Sequence, residues 1–194
     1  TWRLLYDPDH PVPHDPEITP IAGLVTVGSR DGNQLLLNLE AFGTVALTGD
    51  PTRADNLARA VVLELATTQE FGSACCTVVG LAVDGDEHFW RAEHADIETV
   101  RQRISSQQAS YRKLIRESGM PGAFHLRVGD PFDRDVTVAV LDSAATSMLD
   151  EMEVEPNLGV AVLALGPTPG DCATVSVDAD GKATLQPLGL QFDA

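Results

Sequence analysis

The chain is short of lysine and cysteine and holds no long apolar run, and each shortage removes a class of function. Lys113 and Lys182 are its only lysines, and 13 basic residues face 29 acidic ones, for a net charge of −16. A protein that neutralises phosphates over a broad surface needs the opposite balance, so DNA, RNA and anionic membranes are poor direct partners. Three cysteines, Cys75, Cys76 and Cys172, cannot all pair, and none stands in a CxxC or HxxxH spacing. Cys75 and Cys76 lie in an apolar run, which reads as small buried hydrophobes in a reducing compartment and gives no metal site; the expected location is the cytoplasm, with the cytosolic part of a membrane-anchored protein as the alternative. No stretch reaches the roughly 18 apolar residues needed to span a bilayer, and none before the first strand reads as a signal peptide. The first residue is Thr1 rather than Met, which leads us to expect a piece cut from a longer polypeptide.

What is present is enough for one folded unit. A chain of 194 residues with 43% hydrophobic content buries about two thirds of its unfolded surface in a single core. Residues 1–20 stand apart as a proline-rich arm or linker: positions 7–20 hold five prolines and no periodicity. His10 and His14 sit four apart there, but the intervening prolines forbid the helix that would bring the rings together. Residues 21–194 form the domain. Ile21 to Val27 and Gln34 to Leu39 read as a hairpin around Gly28–Asn33, and Ala41-Phe42-Gly43 turns the chain into a strand from Thr44 to Leu47. A glycine turn at Thr48-Gly49 leads to a helix whose Ala54, Leu57, Ala58, Val61, Val62, Leu65 and Ala66 recur at helical spacing.

The remaining segments continue the alternation. Ala74 to Val83 reads as a buried central strand, Phe89 to Ala92 as a short one, and 97–118 as the longest helix, capped by Asp96 and stopped by Gly119 and Pro121. Gln107 and Gln108 interrupt its apolar stripe. Its other face carries Arg101, Arg103, Arg112, Lys113 and Arg116, read first as a solvated face, with docking of an acidic partner or complementing the acidic remainder as alternatives. Val136 to Leu141 ends in Asp142 and leads to a short helix from Ser143 to about Asp150; Gly159 to Leu165 is a further strand. Ala173 to Val177 and Ala183 to Gln186 flank a hairpin turn at Asp178–Gly181. Strands alternating with helices between terminal hairpins predict a three-layer α/β domain, a mostly parallel sheet with antiparallel hairpins at its edges.

That order of pieces resembles the FtsK/SpoIIIE class of RecA-like P-loop ATPases, including the tandem domains of type VII secretion motors. More narrowly it resembles the ATPase-like module of large actinobacterial proteins that also carry LysM and bacterial transcriptional activator domains. The passages LNLEAFGTVALTGDPTRADNLARAVVLELAT and DADGKATLQPLGLQF carry the resemblance, which runs from Ile21 onward. A Walker A loop needs GxxxxGK[ST], with glycines to wrap phosphates, a lysine for the β and γ phosphates and a hydroxyl for magnesium. Here Ala46 falls at the first glycine, Pro51 at the second, Thr52 at the lysine and Arg53 at the hydroxyl; Thr48-Gly49 matches an internal Thr-Gly. Asp50 sets a carboxylate where the triphosphate would lie, and two like charges ~4 Å apart repel by roughly 4 kcal/mol at an effective dielectric of about 20. Asp142 matches the magnesium-side carboxylate of the Walker B strand and also reads as a helix cap, while Ser143 replaces the glutamate that orients water.

The resemblance therefore implies a catalytically inactive pseudo-ATPase with no cofactor and no catalytic or metal residues. Thr48, Gly49, Asp50, Thr52, Arg53 and Asp142 are vestigial site positions, and the partners are flanking domains of the same polypeptide or another protein. One alternative is a nucleotide-binding ATPase completed by a partner subunit, with Arg53 supplying charge. Another is a different small ligand, for which an apolar or cationic pocket near Gly49 would be the sign. No other chemistry stands out. There is no GxSxG elbow, and Ser29, Ser73 and Ser143 have no histidine nearby in sequence. His88, His94 and His125 are scattered, Asp84, Asp86 and Glu87 lack EF-hand spacing, and Asp150–Glu155 reads as a solvated loop.

Overall fold

The computed structural model describes residues 22–67, 74–83, 92–129, 136–149, 152–168 and 170–194. The expectations for the arm, His10, His14, Ser73, the Asp84–Glu87 cluster and His88 lie outside them. The elements are β1 (Leu24–Arg30), β2 (Asn33–Asn38), α1 (Leu39–Phe42), β3 (Thr44–Gly49), α2 (Pro51–Thr67), β4 (Ala74–Val79), β5 (Ala92–His94), α3 (Ile97–Ser118), α4 (Ala123–Gly129), β6 (Val136–Leu141), α5 (Ser143–Thr146), β7 (Val160–Leu165), β8 (Ala173–Val177), β9 (Lys182–Gln186) and β10 (Leu190–Asp193). All the strands join one sheet in the order β2-β1-β10-β9-β8-β3-β7-β6-β4-β5. From β8 to β5 the neighbours are parallel; from β8 back to β2 they are antiparallel.

The antiparallel additions expected at the edges of the sheet are present, and both terminal hairpins stand on the same edge. The cause is β10, which pairs with β9 on one side and meets β1 at Ser29 and Asp193 on the other. Gly28 admits that contact, since a Cβ there would run into the backbone of Asp193. At the same place β1 bulges between Thr26 and Gly28. Glu64 of α2 accepts from the Thr26 N–H at 2.8 Å and from its hydroxyl at 2.9 Å, tying the extension to the helical layer.

The parallel strands are buried on both faces, which is why their sequences lack alternation. Along β7, Ala161, Leu163 and Leu165 face one core, with Ala58, Val61 and Val62 of α2. Val160, Val162 and Ala164 face the other, with Val100 and Ile104 of α3 and Ala145 of α5. Helix α3 begins and ends where the sequence placed it. The Asp96 carboxylate accepts from the Thr99 N–H at 2.7 Å, which holds its pKa below the usual carboxylate range, and Gly119 closes the helix at φ 67°. Gln108, an interruption of the stripe by sequence, is buried and satisfied: its amide donates to the Glu153 carbonyl at 2.8 Å and accepts from the Glu155 N–H at 2.7 Å. Four cations of the basic face pair within the chain, Arg103 with Glu93, Arg112 with Glu155, Arg101 with Glu98 and Lys113 with Glu117, while Arg116 donates to the Arg112 carbonyl.

At the edge where the parallel strands begin lies a polar cluster that sequence reading missed. Glu40 and Arg127 are both buried and form a two-pronged ion pair. Glu40 Oε1 also accepts from the Gly159 N–H at 2.8 Å, and its backbone carbonyl accepts from the Asn157 N–H at 2.9 Å. Arg127 donates to the Tyr111 hydroxyl at 3.4 Å. Burial opposes its charge, but Glu40 and Tyr111 outweigh that and raise its pKa further. Helix α1, read from sequence as a turn, exists because the Asn38 side chain caps it through the Ala41 N–H, and it delivers Glu40 to the cluster.

Cys75 corrects the sequence reading of that pair: on β4 it is exposed, while Cys76 faces the α2 core. Burial, reinforced by Cys75, pushes the Cys76 thiol up to about 12. Iodoacetamide at pH 8 labels Cys75 in the folded chain and reaches Cys76 only after unfolding, a split that peptide mass spectrometry reads. Arg127→Met strands the buried Glu40 carboxylate and costs about 3–5 kcal/mol in urea unfolding. Adding Glu40→Gln, which still accepts from Gly159, recovers part of that loss in a double-mutant cycle.

Candidate functional site

Proteins of this layered kind hold ligands where their parallel strands end, so the site is sought beyond the last residues of β3, β6 and β7. Strand β3 runs on through Thr48 and Gly49, two residues past the sequence reading. Both are in the ladder, Thr48 opposite Ser176 and Gly49 opposite Val177 of β8. Glycine is required at 49: its φ is 98°, and a Cβ would collide with the backbone of Val177. Helix α2 begins at Pro51, so the whole turn is one residue, Asp50. The positions between the two motif glycines, 47–50, form no loop. Three lie in the ladder, and the fourth donates its N–H to the Val177 carbonyl at 2.7 Å.

Asp50 also closes the helix end. Its Oδ1 accepts from the Arg53 N–H at 2.9 Å and its carbonyl from the Ala54 N–H at 3.0 Å. Pro51 has no N–H to offer. The carboxylate thus sits where a bound anion would, and the positive end of the helix dipole is answered from within the chain. Arg53 is exposed and has no carboxylate partner among the described residues.

Asp142 is held in the same manner. It follows β6 as the N-cap of α5, its Oδ1 accepting from the Ala145 N–H at 2.7 Å and its carbonyl from the Thr146 hydroxyl at 2.8 Å. The carboxylate lies over Gly80, where a Cβ would strike it. Strand β7 separates it from β3. The cap expected from sequence is therefore present, and α5 ends at Thr146 rather than near Asp150.

The fold does gather Thr48, Gly49, Pro51, Thr52 and Asp55 with Ser143, with Leu165 at the end of β7 and with Gly166 and Pro167 beyond it, around a cleft of about 640 Å³. Its walls are mainly apolar, set by Leu47, Pro51, Ala54, Leu165 and Pro167. Asp50, Arg53 and Asp142 are not among its lining residues. The residues present do not fit a magnesium–triphosphate group. No lysine reaches the cleft, the amides of 47–50 are in the ladder or bonded to Val177, that of Arg53 is capped, and both carboxylates are engaged at helix ends. Among the described residues no group of three or more His, Cys, Asp or Glu could hold a metal ion.

No protein-family model matches the chain, and no curated protein matches it in sequence. Solved structures match it in fold. The conjugation coupling protein TcpA of pCW3, solved as a monomer with ATPγS, superposes with a TM-score of 0.63 at 13% identity, over 93% of this chain and 68% of that one. ATPases 2 and 3 of EssC from Geobacillus thermodenitrificans give 0.63 at 8% identity, over 94% and 47%. The cytoplasmic domain of the type VII secretion ATPase EccC from Thermomonospora curvata gives 0.60 at 13%, over 94% and 29%. The chain thus shares its fold with these proteins, and it spans about half or less of the EssC and EccC chains it matches. Among the described residues no helix is long and apolar enough to cross a membrane.

Removing either cap tests these assignments. Asp50→Ala and Asp142→Ala each lower stability by about 0.5–2 kcal/mol in urea unfolding, whereas Asp50→Asn, an equally good cap, loses a few tenths at most.

Proposed function

We propose that the chain is a pseudo-ATPase domain, a P-loop ATPase fold that neither binds nor hydrolyses nucleoside triphosphate and serves as a packing or regulatory module. The observation that carries this reading is the one-residue turn at Asp50, whose carboxylate takes the Arg53 N–H that a phosphate would use. Absence of the motif lysine and of the glutamate at Ser143 supports it from the sequence side. The partners in this proposal are flanking domains of the same polypeptide, or another protein, in the cytoplasm. The passages Leu37–Thr67 and Asp178–Phe192 favour a large actinobacterial regulator with LysM and transcriptional activator domains. Nucleic acid, membrane and cofactors have no direct part in it.

A melting titration with ATP or ADP plus magnesium tests the proposal. No shift up to millimolar nucleotide is expected; ligand at ~100 times its dissociation constant would add about 2.7 kcal/mol and raise the melting temperature by several degrees. Turnover of ATP that vanishes in Asp142→Ala would sink the reading.

A further inference from the structure

Strand β2 ends the sheet, and among the described residues nothing pairs with its outer edge. Natural edges are kept from pairing by charge, proline, bulges or shortness. Strand β5, at the opposite end, is three residues long and carries Glu93 in an ion pair with Arg103. Strand β2 uses none of these devices. Its six residues read NQLLLN, without charge or proline, and the extra residue of the neighbouring bulge lies on β1.

The direction of its free hydrogen-bonding groups follows from the turn before it. Asp31 and Gly32 both have positive φ, 52° and 75°, the two-residue turn that makes Arg30 and Asn33 a hydrogen-bonded closing pair. Alternation along the antiparallel ladder then points the N–H and C=O groups of Gln34 and Leu36 away from β1. The Leu36 side chain is 39% exposed, while Leu37 on the other face is buried in the α2 core.

We propose that this edge pairs with itself: two copies of the chain join β2 to β2 antiparallel, about a two-fold axis through Leu36. The sequence is self-complementary in that register. Leu36 meets Leu36, Leu35 meets Leu37, and Gln34 meets Asn38 with amide against amide, while the outward backbone groups of Gln34 and Leu36 find partners. Centring on Leu35 instead would set Leu36 against Gln34 and lose the match. The inference stands independently of any nucleotide chemistry.

Strand-to-strand contact buries less than the ~1,200 Å² of a standard stable interface, so association is weak and concentration-dependent. Two copies of charge −16 also repel, so added salt strengthens the dimer as the Debye length falls from ~10 Å at 0.1 M to ~3 Å at 1 M.

Sedimentation of the whole chain from about 10 μM to about 1 mM, a range that brackets weak association, provides the test. The average mass is expected to climb from 20.7 kDa toward that of two chains, further in high salt than in low. Leu36→Lys and Leu36→Glu each leave the melting temperature in place and abolish the rise, and an equimolar mixture of the two restores it, because the axis brings the two side chains together. A mass that stays at one chain throughout, association that survives Leu36→Lys, or a mixture that stays monomeric would each overturn the proposal. So would slow amide exchange at Gln34 and Leu36 in the monomer, which would mean that another segment of the same chain covers the edge.

Discussion

The buried pair of Glu40 and Arg127 is the constraint on which the geometry of the sheet depends. Taking two charges out of water costs several kcal/mol each unless every remaining donor and acceptor is answered. Here Glu40 answers Arg127, the Gly159 N–H and, through its carbonyl, the Asn157 N–H. Those contacts fix α1, α3, α4 and the chain entering β7 at one edge of the sheet. Gly159 has φ 73° and lies against the Tyr111 ring so closely that no Cβ would fit. Such an arrangement tolerates little adjustment, because moving one member leaves a charge unpaired in a dry site.

A second consequence concerns how a six-stranded parallel core acquires four more strands. The β9–β10 hairpin continues from β8, and the β1–β2 hairpin precedes α1 and β3, so both must lie on the β8 side if connections are to stay short. Contact between β1 and β10 is made at the bulge, where the ladder is already interrupted and Glu64 supplies the missing acceptor. The bulge, the glycine at 28 and the acid on α2 are one device. Each would be a local fault without the others.

The legible part of the fold was that governed by periodicity and caps. Helix α3, with Asp96 and Gly119 at its ends, and β6, β7 and β8 follow from apolar runs and punctuation that act locally. What escaped was non-local. Glu40 looks like any acidic residue until α4 places Arg127 beside it, 87 positions on. Gln108 looks like an interruption until the 153–155 backbone turns out to need both ends of its amide. The turn at Asp50 was misjudged for the same reason: the sequence shows missing motif residues, whereas only pairing with Ser176 and Val177 reveals that the loop itself has been drawn into a strand. The apolar cleft beside Gly49 needed Leu165–Pro167, which sequence order places far away.

That drawn-in loop decides the energetics of the site. An anion approaching α2 gains about 0.3–1 kcal/mol from an exposed helix terminus, and up to ~2 in a partly buried one. To do so it must displace Asp50 from the Arg53 N–H, forfeiting a cap that contributes about 0.5–2 kcal/mol. It must also stand near that carboxylate, at a cost of roughly 4 kcal/mol per pair of unit charges ~4 Å apart. The opposing contributions exceed the favourable one even for a single charge, and a triphosphate multiplies the repulsion without a lysine to offset it. An uncharged, mainly apolar group in the cleft meets neither penalty: leucine, proline and alanine dominate its walls, Thr48, Thr52, Asp55 and Ser143 supply the polar part of its lining, and Asp50 can keep its cap. The same residue that opposes a phosphate with its own charge leaves the neighbouring surface open to a different kind of contact.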